Sequence, residues 1–169
     1  MNLLILVWLC YQPFIDKLPI MINSKLDKIV EEVAEKHNLN PRLVRAVISA
    51  ESGGYIFQTR VEPGFYRKYI KGKTLKELPG KNPVGVDEEI EKEARSTSFG
   101  VMQLMLQTAR ENGFEGHAVE LFDLRTNINI GCKLLAKLLN KKKGVVREAL
   151  LAYNGGGDLK YPDKVFKFL

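Results

Sequence analysis

Through most of the chain the hydrophobic positions follow a helical period. Leu26, Ile29, Val30 and Val33 recur at three- and four-residue intervals behind Ser24, which predicts a helix with one buried face and a serine N-cap. His37 to Asn40 interrupt it, and Asn40-Pro41 restarts the chain as N-cap and first helical residue. That second helix ends at Gly53-Gly54, because glycine readily takes the left-handed conformation that follows helix C-termini. Farther on, Thr108 to Asn112 reads as a short helix closed by Gly113. Asp123 reads as the cap of a helix through Ile128, Cys132, Leu135 and Leu139, Val145 to Ala152 as another, and "YPDKVFKFL" as a last short one. No strand pattern exceeds a few residues, and no repeat or low-complexity stretch divides the chain.

Between residues 55 and 95 the period is lost. Pro63, Pro79, Pro83, four glycines and the aromatics Tyr55, Phe57, Phe65, Tyr66 and Tyr69 fall here, with short helices expected from Pro63 to about Ile70 and from Asp87 to Arg95. An irregular insertion of this length in a compact domain is functional or mobile. The fold expected is therefore mainly α, with one domain over residues 24–169, a size that 169 residues of 45% hydrophobic content support. Residues 1–23 precede it. Their apolar stretch from Leu3 to Cys10 is too short to span a bilayer and lacks both a basic leading segment and a small-x-small cleavage site. It reads equally as a signal-like segment or as one packed on the domain.

Charge and cysteine content narrow the classes. The 26 Lys and Arg against 20 Asp and Glu give +6, which suits a polyanionic partner: nucleic acid, a membrane surface or an anionic wall polymer. Much of the excess lies in Lys141-Lys142-Lys143 and the C-terminal lysines, a pattern that reads as a solvated face. Cys10 and Cys132 are too few for a disulfide framework, and no Cys or His stands at metal-ligand spacing. His37 and His117 are isolated. No metal and no cofactor are expected, and the chain is expected to be monomeric.

One residue breaks the binary pattern. Val44, Val47 and Ile48 lie seven, four and three residues before Glu51, so the carboxyl shares their apolar face and sits in the last helical turn. Burial and the negative end of the helix dipole both disfavour the charged form there. A carboxyl kept neutral near pH 7 can donate a proton, although a structural hydrogen bond or ion pair also accounts for it.

Glu51 opens the first of three motifs, "AESGG" at Ala50 to Gly54. "STSFGVMQLMLQTA" at Ser96 to Ala109 and "ALLAYNGGG" at Ala149 to Gly157 follow. In this order the motifs resemble the catalytic domains of soluble lytic transglycosylases, a branch of the lysozyme superfamily, from about Ser24 to the C-terminus. The resemblance implies a lysozyme-like fold with a long insertion between the catalytic helix and "GVMQ". It implies Glu51 as the catalytic acid and Ser52 as a residue that orients its carboxyl, with a plain helix-cap hydroxyl as the other reading of Ser52. Ser98, Gly100, Met102 and Gln103 match the segment that lines the saccharide cleft, although Met102 also reads as core. Tyr153 and Asn154 match the "AYN" pair, the tyrosine hydroxyl being a partner for the acid or for a substrate acetamide. Val101 stands in place of the family's usual leucine, and Leu106 in place of its proline.

The implied partner is the glycan strand of peptidoglycan, and the implied location the cell envelope, the extracellular space or a phage particle. The implied reaction uses one acid, which protonates the bond between N-acetylmuramic acid and N-acetylglucosamine and then deprotonates the muramic acid C6 hydroxyl to give a 1,6-anhydro product. Glu62 in "RVEPGFY" is a candidate second carboxylate. At ~6.5–9.5 Å from Glu51 it would favour a hydrolytic, inverting muramidase, whereas at a helix start it needs no such role. Two other classes stay open: a wall-binding protein without chemistry, and a nucleic-acid-binding helix-turn-helix. The second is disfavoured because its recognition helix would carry few basic residues beyond Arg42 and Arg45.

Overall fold

The periodic faces close on one another around a single core. The computed structural model describes residues 18–169. Along the chain come α1 (Leu18–Lys36), α2 (Pro41–Ser52), β1 (Thr59–Val61) and α3 (Pro63–Phe65), which runs into a π turn at Tyr66–Ile70. A 3-10 turn at Leu75–Glu77, α4 (Glu88–Ala94), β2 (Thr97–Phe99), β3 (Leu104–Met105) and α5 (Leu106–Glu111) follow. A second 3-10 turn at Ala118–Phe122 leads to α6 (Leu124–Lys141), α7 (Val146–Tyr153) and α8 (Tyr161–Phe166). The domain is thus mainly helical, as expected. The apolar segment read at Leu3 to Cys10 lies outside the described residues.

Helix α6 packs on α1 and α7, α1 also packs on α2, and α8 closes against α2 and α7. Val30, Val33 and Ala34 of α1 meet Val44, Val47 and Ile48 of α2 and Ile128, Cys132 and Leu135 of α6 in the core. Each fully buried aliphatic side chain of this kind contributes about 1.5–3 kcal/mol. The caps fall where the residue types place them. Asn40 accepts from the Arg42 amide, Gly53 takes φ 61° after α2, and Asp123 accepts from the Thr126 amide. Ser24 is a correction: α1 begins at Leu18, so Ser24 lies inside the helix rather than at its cap. Its short polar side chain carries the cap preference, but the helix continues upstream of it.

The segment from 55 to 95 is more ordered than its composition indicates. β1, β2 and β3 form a three-stranded antiparallel sheet in which Arg60 faces Ser98 and Ser98 faces Met105. Strands of two or three residues are too short to show alternation, so no pattern announced them. The short helices at 63–70 and 88–94 stand where expected.

A buried charge cluster fastens this insertion. Glu91 of α4 accepts from Arg95 Nε at 3.2 Å and, from α5, from Arg110 Nε at 2.9 Å and Nη2 at 3.2 Å. All three side chains are buried. Arg95 also donates to the Pro79 carbonyl, Gln107 Oε1 and Asn82 Oδ1, and Arg110 to the Phe114 and Gly116 carbonyls. Burying charge is tolerated only with this degree of pairing. Among the described residues, no helix is long and apolar enough to cross a membrane, and no group of three or more His, Cys, Asp or Glu could hold a metal ion.

Candidate active site

Glu51 reaches the site because α2 is short, tightly capped and amphipathic. Its carboxyl is half-buried at the helix end, and burial raises its pKa above the usual 4.5. Three influences oppose that rise: the Tyr161 hydroxyl, which donates to Oε1 at 2.7 Å, and the positive charges of Arg60 and Lys164. The group therefore holds its proton to a higher pH than an ordinary carboxyl, while a donor stands ready for the carboxylate left after proton transfer. Tyr161 itself is buried in α8, and desolvation with the adjacent Glu51 charge raises its own pKa, so it remains a donor.

Ser52 is a tie rather than a partner of the acid. Its hydroxyl donates to the Val101 carbonyl at 2.8 Å, with the Ile48 carbonyl as a weaker second acceptor of the same hydrogen at 3.3 Å, and accepts from the Gly54 amide. This locks the end of α2 onto the 99–103 turn. That turn is held in turn by Asn127 of α6, whose Nδ2 donates to the Phe99 and Leu121 carbonyls and whose Oδ1 accepts from the Met102 amide. Gly100 is needed for this approach: at φ 72°, an added Cβ would stand 2.4 Å from Asn127 Nδ2 and 2.5 Å from the Leu121 carbonyl oxygen. Gly131 leaves room for Met102 in the same way, since a Cβ there would meet the methionine sulfur at 2.3 Å.

A cleft of about 700 Å³ opens over Glu51. Of the sequence candidates, Glu51, Glu62, Gln103, Tyr153 and Asn154 line it, whereas Ser52, Ser98, Gly100 and Met102 do not. Ser98 is buried in the central strand and the Met102 side chain is wholly buried, so both belong to the framework. The Tyr153 hydroxyl donates to the Met102 carbonyl at 2.9 Å rather than to the acid, the first of its two expected partners. Gln103, at the uncommon φ of 46°, donates through Nε2 to the Gln58 and Gly100 carbonyls, which leaves Oε1 as its acceptor for a ligand. Asn154 Oδ1 accepts from the Asp158 amide and shapes the glycine loop on the far wall.

Glu62 shares the cleft with Glu51 but is engaged. It occupies the N-cap position of α3 without a capping bond, and its Oε1 is held by Arg60 Nε at 2.6 Å. The insertion supplies the rest of that wall through Phe65, Lys68 and Tyr69.

Three residues with evident roles escaped the sequence reading. Tyr161 stands 110 positions from Glu51, and no local spacing links them. Arg60 was passed over in an aperiodic stretch. Asn127 could have been found, since it is a polar residue on the buried, four-residue repeat of α6 with Gly131 and Leu135.

The arrangement supplies a protonatable carboxyl, a hydroxyl donor to its anion, and an open cleft of about 700 Å³ above them. No solved structure matches the chain. The family model described as the transglycosylase SLT domain matches residues 28–161, a span that begins in α1 and ends at Tyr161. The lysozyme-like helical domain, the half-buried glutamate and this match over most of the chain agree: the protein belongs to the transglycosylase SLT domain family.

Proposed function

We propose that the protein is a peptidoglycan lytic transglycosylase in which Glu51 acts first as acid and then as base. The observation that carries this reading is the Glu51 carboxyl itself, desolvated in an open cleft and hydrogen-bonded by Tyr161. The protonated form gives its proton to the glycosidic oxygen as the bond from C1 of N-acetylmuramic acid breaks. The resulting carboxylate, stabilised by the Tyr161 donor, takes the proton of the C6 hydroxyl as that oxygen bonds to C1. Proton and bond counts close without water, and the product is the 1,6-anhydro sugar. Tyr153 and Gln103 shape the groove through the 100–103 turn, and excess positive charge suits an anionic wall polymer. The cell envelope, the extracellular space or a phage particle is the corresponding location.

A second reading, a hydrolytic muramidase, is kept because Glu62 lines the same cleft. Its pairing with Arg60 counts against it, since its Oε1 is already held by a guanidinium and would have to leave that partner to take a proton from water. Mass spectrometry of the muropeptides released from purified peptidoglycan decides between them. Anhydro products from wild-type and Glu62→Gln proteins, absent with Glu51→Gln, are expected. Reducing-end products that vanish with Glu62→Gln would move the assignment to hydrolysis, and sacculus binding without release would leave only a binding protein.

A further inference from the structure

Five charged side chains line the cleft: Glu51, Arg60, Glu62, Lys68 and Asp158. Each has a polar partner within the domain. Glu51 accepts from Tyr161, and Arg60 and Glu62 hold each other at 2.6 Å. Asp158 is bound by Lys164 Nζ at 2.7 Å and by the Lys160 amide at 2.9 Å. Of the two cations Lys68 is the one with no carboxylate partner among the described residues, its polar neighbour being the Tyr69 hydroxyl. Its ammonium lies 4.9 Å from the centroid of the Tyr69 ring, and that ring packs 4.8 Å from Phe65. The neighbouring Arg67 and Tyr66 line a different, apolar groove behind β1, so the turn presents Lys68 to the cleft and Arg67 away from it.

An ammonium beside an aromatic ring gains attraction from the ring and, beyond its contact with the Tyr69 hydroxyl, keeps N–H donors for an oxygen ligand. Resting on the transglycosylase reading, we infer that Lys68 is a specificity residue that binds a carboxylate carried by the glycan strand, so that the insertion selects acidic over neutral strands. Two parts of the strand bear that chemistry: the stem peptide, and the lactyl group of N-acetylmuramic acid once its stem is removed. The other cleft cation is already neutralised by Glu62, and the cleft carboxylates would repel such a ligand from their side. Lys68 is therefore the position at which an incoming carboxylate gains a partner without displacing another carboxylate.

The test compares kcat/KM on three substrates: stem-bearing strands, strands stripped of stems by an amidase, and stem-bearing strands whose carboxylates are blocked as amides. The ratio of acidic to blocked strands is expected to fall about fivefold in Lys68→Met, the upper end for an exposed ion pair. It should recover in Lys68→Arg, invert in Lys68→Glu, and shrink in high salt, with the change in KM. A Lys68 effect that persists on stripped strands assigns the lactyl carboxylate, and one confined to stem-bearing strands assigns the stem. A ratio that stays the same in Lys68→Met and Lys68→Glu overturns the inference while leaving the reaction in place. Wild-type protein that cleaves none of the three overturns the transglycosylase reading and this inference with it.

Discussion

Replacing Glu91 with glutamine should loosen the whole insertion. The carboxylate accepts three hydrogen bonds from two buried guanidiniums, at 2.9–3.2 Å, and is 2% exposed. Glutamine keeps the size but supplies one acceptor oxygen in place of two and turns an NH2 group toward the arginines. Two buried positive charges then face each other without a counter-charge. Breaking a buried pair in this way costs about 3–5 kcal/mol. For a domain of this size, each kcal/mol moves the melting midpoint by about 2–4 °C, so a drop of about 6–20 °C is expected. Urea and thermal unfolding followed by circular dichroism would measure it, with Glu93→Gln on the exposed side of the same helix as the control, expected within about 0.5 kcal/mol of wild type. Amide exchange should accelerate first across residues 79–95, whose carbonyls Arg95 holds. A midpoint within about 2 °C of wild type would refute the reasoning, because it would mean that the arginines reach water or another anion at no cost.

Other outcomes follow from the same geometry. Tyr161→Phe removes the hydrogen bond that favours the Glu51 carboxylate, so the alkaline limb of the activity profile should move to higher pH, and an unmoved limb would dissociate Tyr161 from the acid. Glu51→Gln should be more stable than wild type at pH 7. The folded pKa is raised above 4.5, so native protein holds more protons than unfolded protein in the window above that value, and wild-type stability falls as pH rises through the folded pKa. Urea midpoints of the pair should converge near pH 4, and a gap independent of pH would sink the account. Gly100→Ala, which combines positive φ with backbone and side-chain clashes, should cost about 1–3 kcal/mol or more in denaturant unfolding. Asn127→Leu leaves the Phe99 and Leu121 carbonyls and the Met102 amide without their partner, at about 1–3 kcal/mol each if all stay dry, and should lower both stability and activity.

Local signals were legible wherever one residue type performs a local task. Asn40-Pro41, Gly53 and Asp123 mark helix ends because capping geometry involves neighbours only. The apolar stripes of α1, α2 and α6 follow from the helical period, and Glu51 stood out because a carboxyl on such a stripe conflicts with it. Ser24 misled because cap preference says where a helix can begin, not whether the preceding residues already form one.

Partners across the chain were not legible. The sequence motifs identified Ser52, Met102 and Tyr153, but which atoms they touch depends on how α2, α6 and α7 meet. In the fold Ser52 and Tyr153 donate to the Val101 and Met102 carbonyls of the 99–103 turn, the Met102 side chain is buried, and of the three only Tyr153 also lines the cleft. Glu91, Arg95 and Arg110 look like solvent-facing charges on short helices, and only the packing of α4 on α5 makes them a buried cluster. The sequence by itself determined the helices, the chemical type of the catalytic candidate and the family. Tertiary structure decided its electrostatics, because burial and the Tyr161 hydrogen bond arise from residues 110 positions apart that no local period relates.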